Sequence, residues 1–140
     1  MLTLFRICFE KFRTIYEKLK SFVKFKYRQQ VVSKALLFLM NKRSANFGHE
    51  AFTKVCYDVY IEKSVYFDRV RIYFDGVENH CKRVADFDEI VEETIQNDDF
   101  KNMGRLVVVT TLAGIICKRN PLMFNPCMDC ISRRFNLRKW

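Results

Sequence analysis

Cys127 and Cys130, in Cys127-Met-Asp-Cys130, stand at the spacing with which two thiols share a metal ion or exchange a disulfide, and His80 beside Cys81 is the nearest candidate for a second pair of ligands. A closed zinc site takes four ligands, usually in two well-spaced pairs, and a lone Cys-x-x-Cys supplies half of one. No metal site is expected. His49 and His80 are the only histidines, and no nucleophile elbow, phosphate-binding glycine loop or paired-His zinc motif accompanies either. The sequence therefore predicts no catalytic residue, no cofactor and no enzyme.

The more informative segment is Asn102-Met103-Gly104-Arg105-Leu106-Val107. It opens a stretch, Met103 to Lys118, that is apolar on almost every side through Leu106, Val107, Val108, Val109, Leu112, Ala113, Ile115 and Ile116. Its length favours a buried helix, with Asn97, Asp98 and Asp99 as capping residues before it, while the valines and threonines of Leu106 to Thr111 also suit a buried strand. A glycine one turn into a helix costs about 1 kcal/mol against alanine, so Gly104 implies a close approach to the backbone. Arg105, at the mouth of an apolar bundle, needs an acidic partner. Asp98, Asp99 or Glu92 of its own chain would serve, and so would a ligand carboxylate.

A helix apolar all round has to be buried by neighbours. Leu4 to Val23 repeats apolar residues at three- and four-residue spacing, with Arg6, Lys11, Arg13, Lys18, Lys20 and Lys24 on other faces. This basic amphipathic helix either packs on the core or lies on a membrane surface or acidic partner. Gln29 to Lys42 predicts a second helix through Val32, Leu36, Leu39 and Met40, and helical spacing resumes from Phe52 to Tyr60. Ser64 to Phe74 is assigned to helix, although its β-branched and aromatic residues suit a strand. Asp75 to Asp86 is expected to be a loop, Phe87 to Ile95 a short helix, and Pro126 to Asn136 a last one. The predicted class is all-α, one domain over 1–140. It comprises an N-terminal amphipathic helix (1–27), a main body (28–118) around the central hydrophobic helix at about 102–118, and a short C-terminal part (119–140).

With 49% hydrophobic and 29% charged residues and few glycines or prolines, the 140-residue chain is neither disordered nor fibrous, and it is long enough to bury a core without disulfide staples. The six cysteines are expected to be reduced thiols of a cytoplasmic protein, since Glu10, Lys11 and Arg13 follow the apolar start where a signal-peptide cleavage region would lie. The net charge of +9 is divided: +9 over residues 1–43, −6 over 44–101 and +6 over 102–140. No zinc-finger, RRM or KH pattern accompanies the basic ends, so nucleic acid is not an expected partner. Membrane contact is expected to be at most peripheral, because no apolar run approaches spanning length.

Asn102-Met-Gly-Arg-Leu-Val resembles the Asn-Trp-Gly-Arg-Ile-Val signature of region one of the Bcl-2 family, with methionine in place of tryptophan. Leu112-Ala-Gly-Ile-Ile-Cys117 continues in the register of the family's Phe-Gly-Gly-Ala-Leu-Cys type, and Phe87-Asp-Glu-Ile-Val-Glu-Glu93 resembles the helix before it. About residues 28 to 118 are covered, the specific match being 102 to 117. The region-two Trp-Ile-x-x-Asn-Gly-Gly-Trp pattern is absent. In its compactness the chain resembles the prosurvival homologues of large DNA viruses, of iridovirus type.

The resemblance implies a Bcl-2-like bundle that inhibits apoptosis. Its groove would hold the amphipathic BH-3 helix of Bim-like or Bax/Bak-like proteins, at the cytoplasmic face of mitochondria or free in the cytoplasm. Four apolar anchors of the ligand would fill pockets while its aspartate meets Arg105. Asn102 would bond polar groups near that aspartate and Gly104 would leave room for the ligand backbone. Tyr60, Phe67, Val70, Ile90, Val91, Thr94, Val108 and Leu112 would line the groove, each of them equally suited to plain core. The exposed apolar surface of a groove or amphipathic helix also predicts a homodimer. Cys56 and Tyr57 stand near the expected Gly-Asp of a death-promoting segment, which favours inhibition. The alternative is a membrane- or acidic-partner-binding module acting through residues 1–27.

Overall fold

The computed structural model describes residues 28–41, 51–96 and 102–137, and every regular element among them is helical. The elements are α1 (Arg28–Asn41), α2 (Ala51–Glu62), α3 (Ser64–Asp75), α4 (His80–Gln96), α5 (Asn102–Arg119), a 3-10 turn (Pro121–Met123) and α6 (Phe124–Arg134). The predicted helix from Leu4 to Val23 lies outside the described residues.

Helix α5 is the axis of the bundle. Gly104 and all of Leu106 to Cys117 are buried, and α1, α2, α3, α4 and α6 each pack on it. A helix enclosed in this way has no solvent face to mark it as helical, which is why its valines and threonines read equally well as strand. Thr111 shows how polar residues are accommodated there: its Oγ1 donates to the Val107 carbonyl at 2.8 Å, one turn back on the same helix.

The outer helices bury stripes at three- and four-residue spacing: Val32, Ala35, Leu36 and Leu39 on α1, Phe52, Cys56 and Val59 on α2, Phe67, Val70 and Phe74 on α3, and Phe87, Ile90, Val91 and Thr94 on α4. The widest of these contacts is between α1 and α5. It depends on Gly114, where a methyl added to the α-carbon would stand 2.6 Å from both Cβ and Cδ1 of Leu39. Ser64 to Asp75 is a helix rather than a strand, because its half-buried and buried residues recur at helical spacing against α5.

The expected loop from Asp75 to Asp86 is corrected by the structure to residues 76–79. Asn79 caps α4, its Oδ1 accepting the Lys82 backbone N–H at 3.0 Å, and Val77 plugs the short connection at 8% exposure. The polar run after Asn79 is thus the solvated first turns of a 17-residue helix. At the other end of the chain Asn136 turns with φ 52°, a left-handed conformation that asparagine tolerates after a helix. The turn brings Phe135 and Leu137, both at most 5% exposed, back onto the core. No helix among the described residues is long and apolar enough to cross a membrane.

Candidate functional site

Asn102 begins α5, Gly104 is buried in its first turn and Arg105 is half-buried beside it. The apolar residues assigned to a groove converge from three helices into one cluster, Phe67 and Val70 from α3, Ile90 and Val91 from α4, and Val108 and Leu112 from α5, and Thr94 of α4 is buried as well. All seven are at most 4% exposed, so in this conformation they are core. Tyr60 is half-buried at the end of α2, its ring 6.4 Å from that of Phe67. It lines a cavity of about 230 Å³ with Leu39, Ile115, Arg71 and Arg119. Ile115 is ten residues along α5 from Arg105, so this cavity and Arg105 are separated by about 15 Å of helix axis.

Exposed apolar side chains gather on the outside of α2 and α3, while Leu37 of α1 and Leu122 of the 3-10 turn are exposed elsewhere. Ile61 is 55% exposed, Val65 62% and Ile72 61%, and Val65 and Ile72 are seven residues apart on one face. Sequence reasoning counted Val65 and Ile72 toward helix or strand and missed their outward face. The signal was there in the spacing of Phe67, Val70 and Phe74, which fixes the inner face and so the outer one. Tyr73 donates its hydroxyl to Asp86 of α4 at 2.9 Å, and Lys82 donates to that carboxylate at 3.0 Å.

No family model, curated protein or solved structure matches this chain.

The Cys-x-x-Cys pair faces inward rather than toward a ligand. Cys127 is buried against Cys117, whose thiol and the surrounding burial together push the Cys127 thiol up. The Cys130 Sγ donates to Asp88 Oδ1 at 3.1 Å, and burial followed by that carboxylate pushes its thiol up to about 12. Burial does the same to Cys56, also to about 12. At neutral pH all three are protonated and poor nucleophiles. Among the described residues no group of three or more His, Cys, Asp or Glu is arranged to hold a metal ion.

Asp88 fastens α4 to α6. It accepts from Arg134 Nε and Nη2 at 3.2 and 2.7 Å, from Arg133 Nη2 at 3.2 Å and from the Cys130 thiol. The Arg134 hydrogen bonds lead in holding its carboxyl below the ordinary carboxylate value. A carboxyl lowered on folding contributes stability that is fully present above its unfolded pKa of about 3.9 and is lost as pH falls through the folded value. Asp88→Asn is expected to cost about 1–2 kcal/mol at pH 7, the low end for hydrogen bonds to a charged group because the pair is partly exposed and screened. Urea midpoints of the two proteins should converge as pH falls below about 4. A gap of the same size on both sides of that window would refute the ionic role of Asp88.

Proposed function

We propose that this chain inhibits apoptosis without catalysis, by sequestering BH-3 ligand helices in a groove of a Bcl-2-like bundle. The observation that carries this reading is the position of Asn102-Met-Gly-Arg105, which forms the opening of the one helix on which every other described helix packs. Support comes also from the order of elements. Four described helices precede α5, and Phe87 to Glu93, the segment that resembles the family's preceding helix, lies on α4 immediately before it.

The ligand would be recognised as an amphipathic helix whose apolar face enters between α3, α4 and α5 while its aspartate pairs with Arg105. Anchors spread over three turns of a helix span about 16 Å, close to the distance along α5 between Arg105 and the Tyr60 cavity. Because Phe67 and Val70 are buried in the free chain, ligand entry requires α3 to move outward and exchange their contacts for ligand contacts. That helix is short, is joined to α2 through the single residue Lys63 and already exposes Val65 and Ile72 on its other side. Pairing with pro-apoptotic proteins at the mitochondrial surface, and a prosurvival sign, follow from the same resemblance.

Calorimetric titration with BH-3 peptides of about 26 residues tests the reading. At least one peptide should bind tighter than about 1 μM, roughly 8 kcal/mol, and changing its aspartate to alanine should weaken that binding about thirtyfold or more. Absence of binding across the panel would overturn it.

A further inference from the structure

Helices α4 and α6 border an open furrow of about 800 Å³ that shares no residue with the proposed groove. Cys81, Val84 and Ala85 of α4 line one side and Pro126 and Met128 of α6 the other, so much of its lining is apolar. Cys81 and Ala85 are small, exposed and one turn apart, which leaves room for a further helix to approach α4. The charged side chains of the furrow are Asp88, Asp129 and Arg133. Asp88 already holds Arg133 at 3.2 Å, so the exposed Asp129 leaves the lining net negative. Along α4 as a whole, five carboxylates outnumber Lys82 and Arg83. The furrow therefore suits a cationic, amphipathic occupant.

The chain itself supplies one, and it enters at the edge of the furrow. Gln29, in the first turn of α1, lines the furrow, which tethers residue 23 within about 20 Å of it, the reach of six extended residues. Phe5, Phe9, Phe12, Tyr16, Leu19 and Val23 alternate at steps of four and three residues, the narrow seam of a helix that packs lengthwise on other helices. Twenty residues of helix measure about 30 Å, against about 25 Å for the 17 residues of α4. Residues 1–27 carry seven Lys and Arg against Glu10 and Glu17, a net of +5 that opposes the charge of the furrow. The outer face of α2 and α3 fits the same seam less well, because the exposed Arg69 stands between Val65 and Ile72.

We propose that residues 4–23 dock as a helix in the α4–α6 furrow of their own chain, with the aromatic seam against Cys81, Ala85 and Met128 and the lysines toward Asp129 and the acids of α4. Docked in this way, the segment covers Cys81 and withdraws its own apolar face from a membrane surface.

Labelling of the full, reduced chain with N-ethylmaleimide, read by peptide mass mapping, tests the docking. Cys81 should react about tenfold slower in the parent protein than in a variant carrying Phe12→Asp and Leu19→Asp, because labelling follows the fraction of time the segment is undocked. Lys18→Glu with Lys20→Glu should also unmask Cys81, and adding Asp129→Lys should restore part of the protection. The buried Cys117 and Cys127 should stay slow throughout, which shows that the bundle itself is intact. Equal Cys81 rates in parent and variants would overturn the proposal, and flotation of the parent chain with anionic vesicles would then give the seam to a lipid surface. Acceleration of Cys117 together with Cys81 would overturn it as well, because the seam would then belong to the core of the bundle. So would protection that is lost on dilution, which would place the segment on a second copy of the chain.

Discussion

Gly114→Ala is expected to destabilise the fold by about 2 kcal/mol, even though alanine is the better helix former. The favourable part is about 1 kcal/mol of helix propensity. Against it stands a methyl placed 2.6 Å from Leu39 Cβ and 2.6 Å from its Cδ1. The Cδ1 contact would be relieved by a rotamer change, but Cβ is fixed to the backbone, so α1 itself has to withdraw from α5. Leu36 and Leu39 would then lose packing at the widest interface of the bundle. Overpacking of this kind costs about 1–3 kcal/mol and sometimes more, and the upper end applies where the obstructing atom cannot turn away. Urea unfolding measures the difference directly. The double variant with Leu39→Ala keeps the Cβ contact and should recover little. A midpoint equal to or above that of the parent protein would mean that α1 and α5 are not in backbone-close contact at this position.

The glycine that governs packing thus lies ten residues beyond the one that the sequence singled out. Gly104 drew attention because it stands beside an arginine at the start of an apolar run, whereas Gly114 sits among small and apolar residues with nothing polar to flag it. The same asymmetry holds for the rest of the chain. Val32, Leu36 and Leu39, or Phe87, Ile90 and Val91, announce a helix because the other face of each helix is polar and the period is visible. Inside α5 every face is apolar, so length alone argued for helix. The start of α4 was hidden because its first two turns are solvated and its cap is a single asparagine, Asn79. The Asp88 latch was hidden for another reason: its partners lie 42 to 46 residues away, and no local pattern brings them together. Burial also decides how Phe67, Val70 and Val91 are understood, since an apolar residue facing inward has the same sequence signature whether it meets its own chain or a ligand.

Arg105→Ala is expected to weaken the tightest BH-3 peptide by at least 2 kcal/mol, about thirtyfold or more, as read by calorimetric titration. Arg105 is half-buried in the first turn of α5, so a ligand carboxylate reaching it leaves water only partly and gains a charge-assisted, bidentate partner. Truncating one member of such a pair costs roughly 2–5 kcal/mol, and much of that is the penalty of leaving the other charge desolvated. Arg105→Lys separates charge from geometry: lysine keeps the positive charge but cannot present two parallel donors, so it should recover only part of the loss. The decisive arm is a double-mutant cycle. If the ligand aspartate is the partner, its replacement by alanine should cost little once Arg105 is already alanine, and the coupling should approach the full effect of either change alone. Additive losses would mean that Arg105 and the ligand aspartate act separately. Arg105 would then be a structural residue at the mouth of α5, and the groove would have to find its charge partner elsewhere.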